Sequence, residues 1–339
     1  MFSSPICDTG FLTWYDAREK HPTRSEYRLF FPTTTVSKVA SVNDNLFIGL
    51  CPNNTVVVIV AAAESTVSSQ LAWLFDINVG DRFTVSSKYD SDNKKLEYAS
   101  KYILEQIGIE IAETSEYTYL DEMLSRFGGK FPSTKEFSSF ARSTLKHIDA
   151  LDNPDDVLMH WVEREEFLFK TLEKHLIQAK ISEGFKDVDE FISYSLSVQN
   201  RRKSRVGQAL ENHLEVLLKS RNISYDRTKI TENRSKPDFI FPSIAAYHDI
   251  SFPVDDLTML GVKSTCKDRW RQVLAEADRI ENKHLLTLEA AISTHQTDEM
   301  RKKQLQLIVP QSIHKTYTLE QQKWLMNIES FINLLLSKQ

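Results

Sequence analysis

The chain has 339 residues, 41% hydrophobic and 26% charged, a composition that excludes a disordered tail and allows a sizeable packed core. Single cores stop growing at roughly 250 to 300 residues, so two domains are expected. A net charge of −5 excludes a uniformly basic nucleic-acid binder, and Cys7, Cys51 and Cys266, with no CxxC pair, speak against a disulfide framework or a cysteine zinc site.

The first 86 residues read as β-rich. Short β-branched or aromatic runs at 27–31, 45–50, 55–60 and 82–86 are separated by turn-forming residues, as in a small barrel or sandwich. The longest apolar run, 56–63, is far short of the roughly 20 residues that cross a bilayer. MFSSPICDTG has neither a basic nor an apolar leader segment, so the expected location is the cytoplasm, with no membrane partner. Helical periodicity takes over from 98 to 111. Ser133 and Thr134 followed by Glu136 mark a helix start, and further helices are expected over 161–177 and 188–198. The domain boundary falls near 88–120, giving a β-rich domain over 1–110 and a second domain over 111–339.

Charge is distributed unevenly along this second part. Residues 88–200 carry 14 Lys/Arg against 22 Asp/Glu, whereas 201–236 carry 10 against 4, so a local basic face exists within an acidic total. Val206, Leu210, Leu214, Leu217 and Leu218 recur at helical spacing. Runs at 238–241 and 259–263 read as short buried strands between Pro or Gly breaks, Trp270, Val273, Leu274, Ala277 and Ile280 form a second helical stripe, and strands follow at 284–288 and 305–309. That order describes a mixed β-sheet flanked by helices, an α/β (α+β) layer.

Within it, Asp238 opens one strand and Lys263 closes the next. Hydrolysis of a phosphodiester needs a divalent cation for the developing charge and a polarised water, with a lysine to orient it. Carboxylates suit Mg2+, a hard, oxygen-seeking ion. A second acid commonly stands two residues before such a lysine, but that position is Gly261. Glu276, 13 residues after Lys263, is expected on the flank of the following helix beside Arg269 and Gln272, from where it reaches back to the metal. Glu211 flanks the earlier helix beside Val206, Leu210 and Leu214 and completes the set. Asp238, Glu276 and Glu211 are thus the candidate metal ligands.

The stretches NRRKSRVGQALENHLEVLL, ENRSKPDFIFPSIAAYHDISFP and MLGVKSTCKDRWRQVLAEADRIENKHLLTLE resemble the EcoRII family of type II restriction endonucleases, and a weaker similarity extends over about residues 120 to 320. The resemblance implies a PD-(D/E)xK nuclease core whose second acid has moved to the helix after the lysine strand. It implies that Glu211, Asp238, Lys263 and Glu276 form the active site, with Tyr247 and Lys267 as auxiliaries. It further implies double-stranded DNA with a CC(N or W)GG-like site as substrate, read by two basic segments. In the first, Arg202 and Lys203 would meet phosphates or bases and Arg205 base edges; in the second, Lys267 and Asp268 would join Arg269 and Arg271, which reach base edges. A palindromic target implies a homodimer, and systems of this kind pair the nuclease with a cognate DNA methyltransferase. The N-terminal domain would bind a second DNA copy or read flanking bases. Gly261 keeps a second reading open, a sequence-specific DNA-binding regulator that does not cleave. The acidic helices between 88 and 200 also fit a protein-interaction role.

Overall fold

The computed structural model describes residues 6–51, 55–77, 79–80, 84–85, 98–106, 117–266 and 269–339. The chain divides into two compact units, one formed by residues 1–92 with 106–109 and the other by 93–105 with 110–339.

The first unit contains β1 (Thr13–Asp16), β2 (Tyr27–Phe30), α1 (Thr35–Val39), β3 (Asn45–Leu50), β4 (Val56–Ala61) and α2 (Thr66–Phe75). Its strands form two separate antiparallel pairs, β1 with β2 and β3 with β4, so the barrel or sandwich expected from sequence is not seen among the described residues. The reason lies in the helices, which start at strong caps inside the β-rich stretch. Thr34 and Ser37 form a capping box for α1, and Ser65 caps α2. The core of this unit is small: Phe47, Ala61 and Leu71, with Ile59 packed against them. The strand expected at 82–86 lies largely outside the described residues.

The second unit begins with helices α3 (Tyr98–Gln106), α4 (Tyr117–Phe127), α5 (Thr134–Ser143), α6 (Pro154–Glu183) and α7 (Val188–Ser220). The start of α5 is the expected one, with Ser133 and Glu136 in a reciprocal capping box. Asn153 caps α6 by accepting from the amides of Asp155 and Asp156, with Pro154 in the first turn, where its missing N–H costs nothing. Two helices were expected where α7 runs unbroken for 33 residues. No Pro or Gly lies between 198 and 206 to break the helix, so the turn of sequence character at Asn200 is a change of charge and not of conformation. Met123, Phe137, Phe140, Leu168 and Leu172 join α4, α5 and α6 in one apolar cluster.

Beyond α7 come β5 (Asp226–Arg227), β6 (Phe239–Phe241), α8 (Ile244–His248), β7 (Thr258–Val262), α9 (Trp270–Leu274), β8 (Lys283–Leu286), α10 (Thr294–Lys302), β9 (Leu305–Ile308), α11 (Leu319–Trp324) and α12 (Ile328–Lys338). The five strands form one sheet in sequential order, antiparallel from β5 to β7 and parallel from β7 to β9. Every residue of β6, β7 and β8 is buried, as expected of strands covered on both faces. The sheet is anchored to the helical layer by Asp155, a buried carboxylate that accepts from the amides of Gln311, Ile328 and Glu329 at 2.9 to 3.0 Å and so caps α12 from the start of α6.

One expected element is much shorter than its pattern suggests. The stripe from Trp270 to Ile280 is helical only to Leu274, and Ala277 adopts a left-handed backbone with φ 51°. The chain turns there to feed β8, which lies parallel to β7, so Ala277 and Ile280 are buried without belonging to a helix. Phe140 is fully buried among aromatic neighbours, and Phe140→Ala should cost about 3–5 kcal/mol of stability, measured by denaturant unfolding.

Candidate active site

Asp238 stands immediately before β6 and Lys263 immediately after β7. Because the two strands pair antiparallel with Phe239 opposite Leu260, the end of one lies beside the start of the other. The carboxyl oxygen Oδ2 of Asp238 accepts from the Lys263 ammonium at 2.6 Å and from the Val262 amide at 2.6 Å. Both side chains are largely shielded, at 16% and 12% exposure. Two donors on one oxygen leave Oδ1 of Asp238 without a hydrogen bond among the described residues.

Gly261 is explained by packing. A Cβ at this position would lie 2.8 Å from Cγ2 of Val273 and 3.1 Å from its Cγ1, so α9 rests directly on the bare backbone of β7. An acid two residues before Lys263 has no space here. The turn that follows α9 carries Glu276 instead. Glu276 is therefore not on a helix flank, as the periodicity suggested, but two residues past the helix end. Its Oε2 is buried with no hydrogen-bond partner. Burial pushes its pKa up to about 7; Lys263 pulls against that rise, and the neighbouring charge of Asp238 adds to it.

Burial of Glu211, on α7, raises its pKa, and the nearby charge of Asp238 adds to the rise, while Arg227 and Lys263 lower it. Its Oε2 accepts from Arg227 at 2.7 Å, and Arg227 also donates to Glu215 at 2.6 Å. Sequence reasoning missed Arg227, a lone cation in a two-residue strand, which holds Glu211 in this arrangement. Tyr247 is fully buried. Its hydroxyl donates to Glu232 and accepts from the Arg279 amide at 3.3 Å, so it meets the turn after Glu276 and makes no hydrogen bond to Asp238 or Lys263.

The basic segments separate into different environments. Arg205 is buried, paired with Glu165 at 3.5 Å and with Glu166, and its guanidinium lies 3.9 Å from the ring centroid of Phe169. In this structure the stripe of α7 that packs on α6 takes Arg205 inside with it, away from the solvent-facing position expected of a base-reading side chain. Arg202 is half-exposed and pairs with the buried Glu173 at 2.7 Å, while Lys203 is exposed. Arg269 is partly exposed just before α9. Arg271, two residues on, is exposed, stacks 4.6 Å from the Trp270 ring and pairs with Glu299 at 2.8 Å. Lys267 and Asp268 lie outside the described residues.

No cluster of three or more His, Cys, Asp or Glu side chains encloses a metal site among the described residues. Two carboxylate oxygens without hydrogen-bond partners among the described residues, Oδ1 of Asp238 and Oε2 of Glu276, are nevertheless a donor set of the kind a hard divalent cation takes, since such an ion keeps several waters and needs only one or two protein carboxylates.

Residues 169–332, which include Glu211, Asp238, Tyr247, Lys263 and Glu276, match the model of the family described as EcoRII C terminal. That segment belongs to the EcoRII C-terminal family. The chain is 45% identical over 204 residues to the type II restriction enzyme EcoRII of Escherichia coli, covering 60% of this chain and 50% of that enzyme, so it spans about half the length of its curated relative. Its fold is similar to metal-depleted Ecl18kI in complex with uncleaved DNA, at a TM-score of 0.53 and 16% identity over 66% of this chain and 84% of that one. It is also similar to the restriction endonuclease PspGI in a substrate DNA complex, at a TM-score of 0.52 and 19% identity over 61% and 93%. The mixed sheet flanked by helices is thus the restriction-endonuclease fold expected from sequence. No helix among the described residues is long and apolar enough to cross a membrane.

The EcoRII C-terminal segment yields two expected outcomes. Gly261→Asp should destabilise the protein in thermal melts, because Val273 must move, and Val273→Ala should recover much of the loss. The folded, metal-free chain holds the Glu276 proton to about pH 7, whereas the unfolded chain releases it near 4.5. The stability this group contributes is therefore complete below about 4.5 and lost as pH rises through 7. In chelator, Glu276→Gln should raise the melting temperature relative to the native chain at pH 8 and confer no gain at about pH 4.5.

Proposed function

We propose that this chain is a metal-dependent type II restriction endonuclease that hydrolyses double-stranded DNA at a CC(N or W)GG-like site. The observation that carries the reading is the Asp238–Lys263 pair at the ends of two adjacent strands, with the unpartnered carboxylate of Glu276 within its electrostatic reach. It is supported by the 45% identity to EcoRII.

Asp238 and Glu276 would hold Mg2+, joined by Glu211 once Arg227 releases it. The ion would supply positive charge for the oxygens of the phosphate under attack. Lys263, its ammonium fixed by Asp238, orients a water toward the phosphorus and stabilises the charge that develops as the water oxygen bonds to it and the P–O bond to the leaving sugar breaks. A raised Glu276 pKa means that this residue must give up a proton before it serves as a ligand, so activity falls on the acid side of neutrality.

For recognition we assign Lys267, Asp268, Arg269 and Arg271 to base edges, since Arg pairs bidentately with guanine and Asp accepts from cytosine. Arg202 and Lys203 face phosphates. A palindromic target is cut by a homodimer, with one site for each strand. The β-rich N-terminal domain, residues 1–110, reads flanking bases or binds a second DNA copy, and a cognate DNA methyltransferase protects the host sites. The seating of Val273 gives Gly261 a packing reason, which favours the cleaving reading over the non-cleaving one.

Purified protein with magnesium should linearise plasmids that carry CCNGG or CCWGG sites and leave plasmids lacking them intact. Uncut site-bearing DNA across Mg2+ and Mn2+, with activator oligonucleotides added, would overturn the reading. Lys263→Ala and Asp238→Ala should each lower the cleavage rate by at least about a hundredfold while retaining DNA binding in gel-shift assays.

A further inference from the structure

The carboxylate of Glu276 is carried by a turn that belongs to no helix or strand. α9 has ended at Leu274, and the left-handed backbone of Ala277 is a conformation that a residue with a side chain keeps only where its surroundings impose it. Three side chains from elsewhere in the sheet layer supply those surroundings. Lys283, buried at the start of β8, donates its ammonium to the carbonyl oxygen of Glu276 at 2.6 Å and to that of Ala277 at 3.1 Å. Glu232 accepts from the amide of Asp278 at 3.2 Å. Tyr247 accepts from the amide of Arg279 while its own hydroxyl is committed to Glu232. Each of the four residues from 276 to 279 therefore has a backbone group held by a side chain from outside the turn.

A buried ammonium is costly to desolvate, and here its recorded hydrogen bonds go to two carbonyl oxygens of this one turn. A lysine used only to fill space would be replaced at lower cost by an apolar side chain. We infer that Lys283 is the positioning residue for Glu276, with Glu232 and Tyr247 completing the cradle, so that it sets the affinity for the divalent cation by fixing the turn. This inference rests on the reading of Glu276 as a cation ligand. Tyr247 accordingly acts on the site through the backbone and is not in contact with the reacting atoms.

The test uses the full chain and MgCl2 as the probe. Calorimetric titration of Mg2+ and the Mg2+ concentration for half-maximal plasmid cleavage should both show Lys283→Met weakened by about tenfold or more, in the range seen when partners of metal ligands are removed. DNA affinity in chelator should stay within about twofold of the native value, since a lost positioning contact spares the phosphate and base contacts. Lys283→Arg, which keeps the donors, should recover most of the loss, and Glu232→Gln should show a smaller weakening. In the double variant with Glu276→Ala, Lys283→Met should add nothing further to the loss of metal affinity, because both act through one carboxylate. Should Lys283→Met fail to fold, Lys283→Arg and Glu232→Gln carry the same comparison. Native metal affinity in Lys283→Met, alongside impaired affinity in Glu276→Ala, would overturn the inference alone. Native affinity in Glu276→Ala would overturn both the inference and the metal-ligand reading beneath it.

Discussion

The arrangement of this site follows from one close approach, the seating of Val273 on Gly261. With no Cβ in the way, α9 lies against the backbone of β7, and the chain leaving α9 is delivered to the end of the sheet where Lys263 and Asp238 meet. The same contact that denies room for an acid on the lysine strand therefore brings Glu276, the first acid after α9, beside the pair. The glycine and the displaced carboxylate are two sides of one packing solution.

Electrostatics at the end of the sheet are unbalanced in a specific way. Asp238 is neutralised by Lys263, and Glu211 by Arg227, but Glu276 keeps a buried oxygen with no donor. Charge buried without a partner is normally eliminated from a core or shifted to its neutral form, and the rise of the Glu276 pKa to about 7 is that response. Arg227 holds Glu211 together with Glu215, which the surrounding donors pull down to about 2, so Glu215 keeps Arg227 anchored as a permanent ion pair. Glu211 and Glu215 thus share one guanidinium, which both carboxylates hold in its charged form.

Much of this was legible in the chain. Pro237 before Asp238 and the apolar run before Lys263 bounded two strands, and strands bounded so closely in sequence pair readily. The helix over 134–143 announced itself through its capping box, and the β-rich start and the helical middle were visible as changes of periodicity. Reading failed where a local pattern had two outcomes. The stripe from Trp270 to Ile280 fits a helix, yet the chain must turn at Ala277 to enter a strand parallel to β7, and apolar residues are needed in that turn as much as in a helix. Arg202-Lys203-Ser204-Arg205 looks like one exposed basic segment, but the fourth residue faces the acidic stripe of α6 and is taken into the interface.

The sequence by itself determined the set of chemical groups, the sheet-and-helix class and the pairing of Asp238 with Lys263, because these depend on short-range pattern and on strands adjacent in the chain. Tertiary structure alone decided which acid stands beside the Asp238–Lys263 pair, which arginine is exposed and which side chains hold the turn after α9. Glu232 reaches the amide of Asp278 across 46 positions, and Lys283 earns its place through carbonyl oxygens that carry no side-chain signature. A backbone group looks the same at every residue, so its partner becomes known only when the chain has folded.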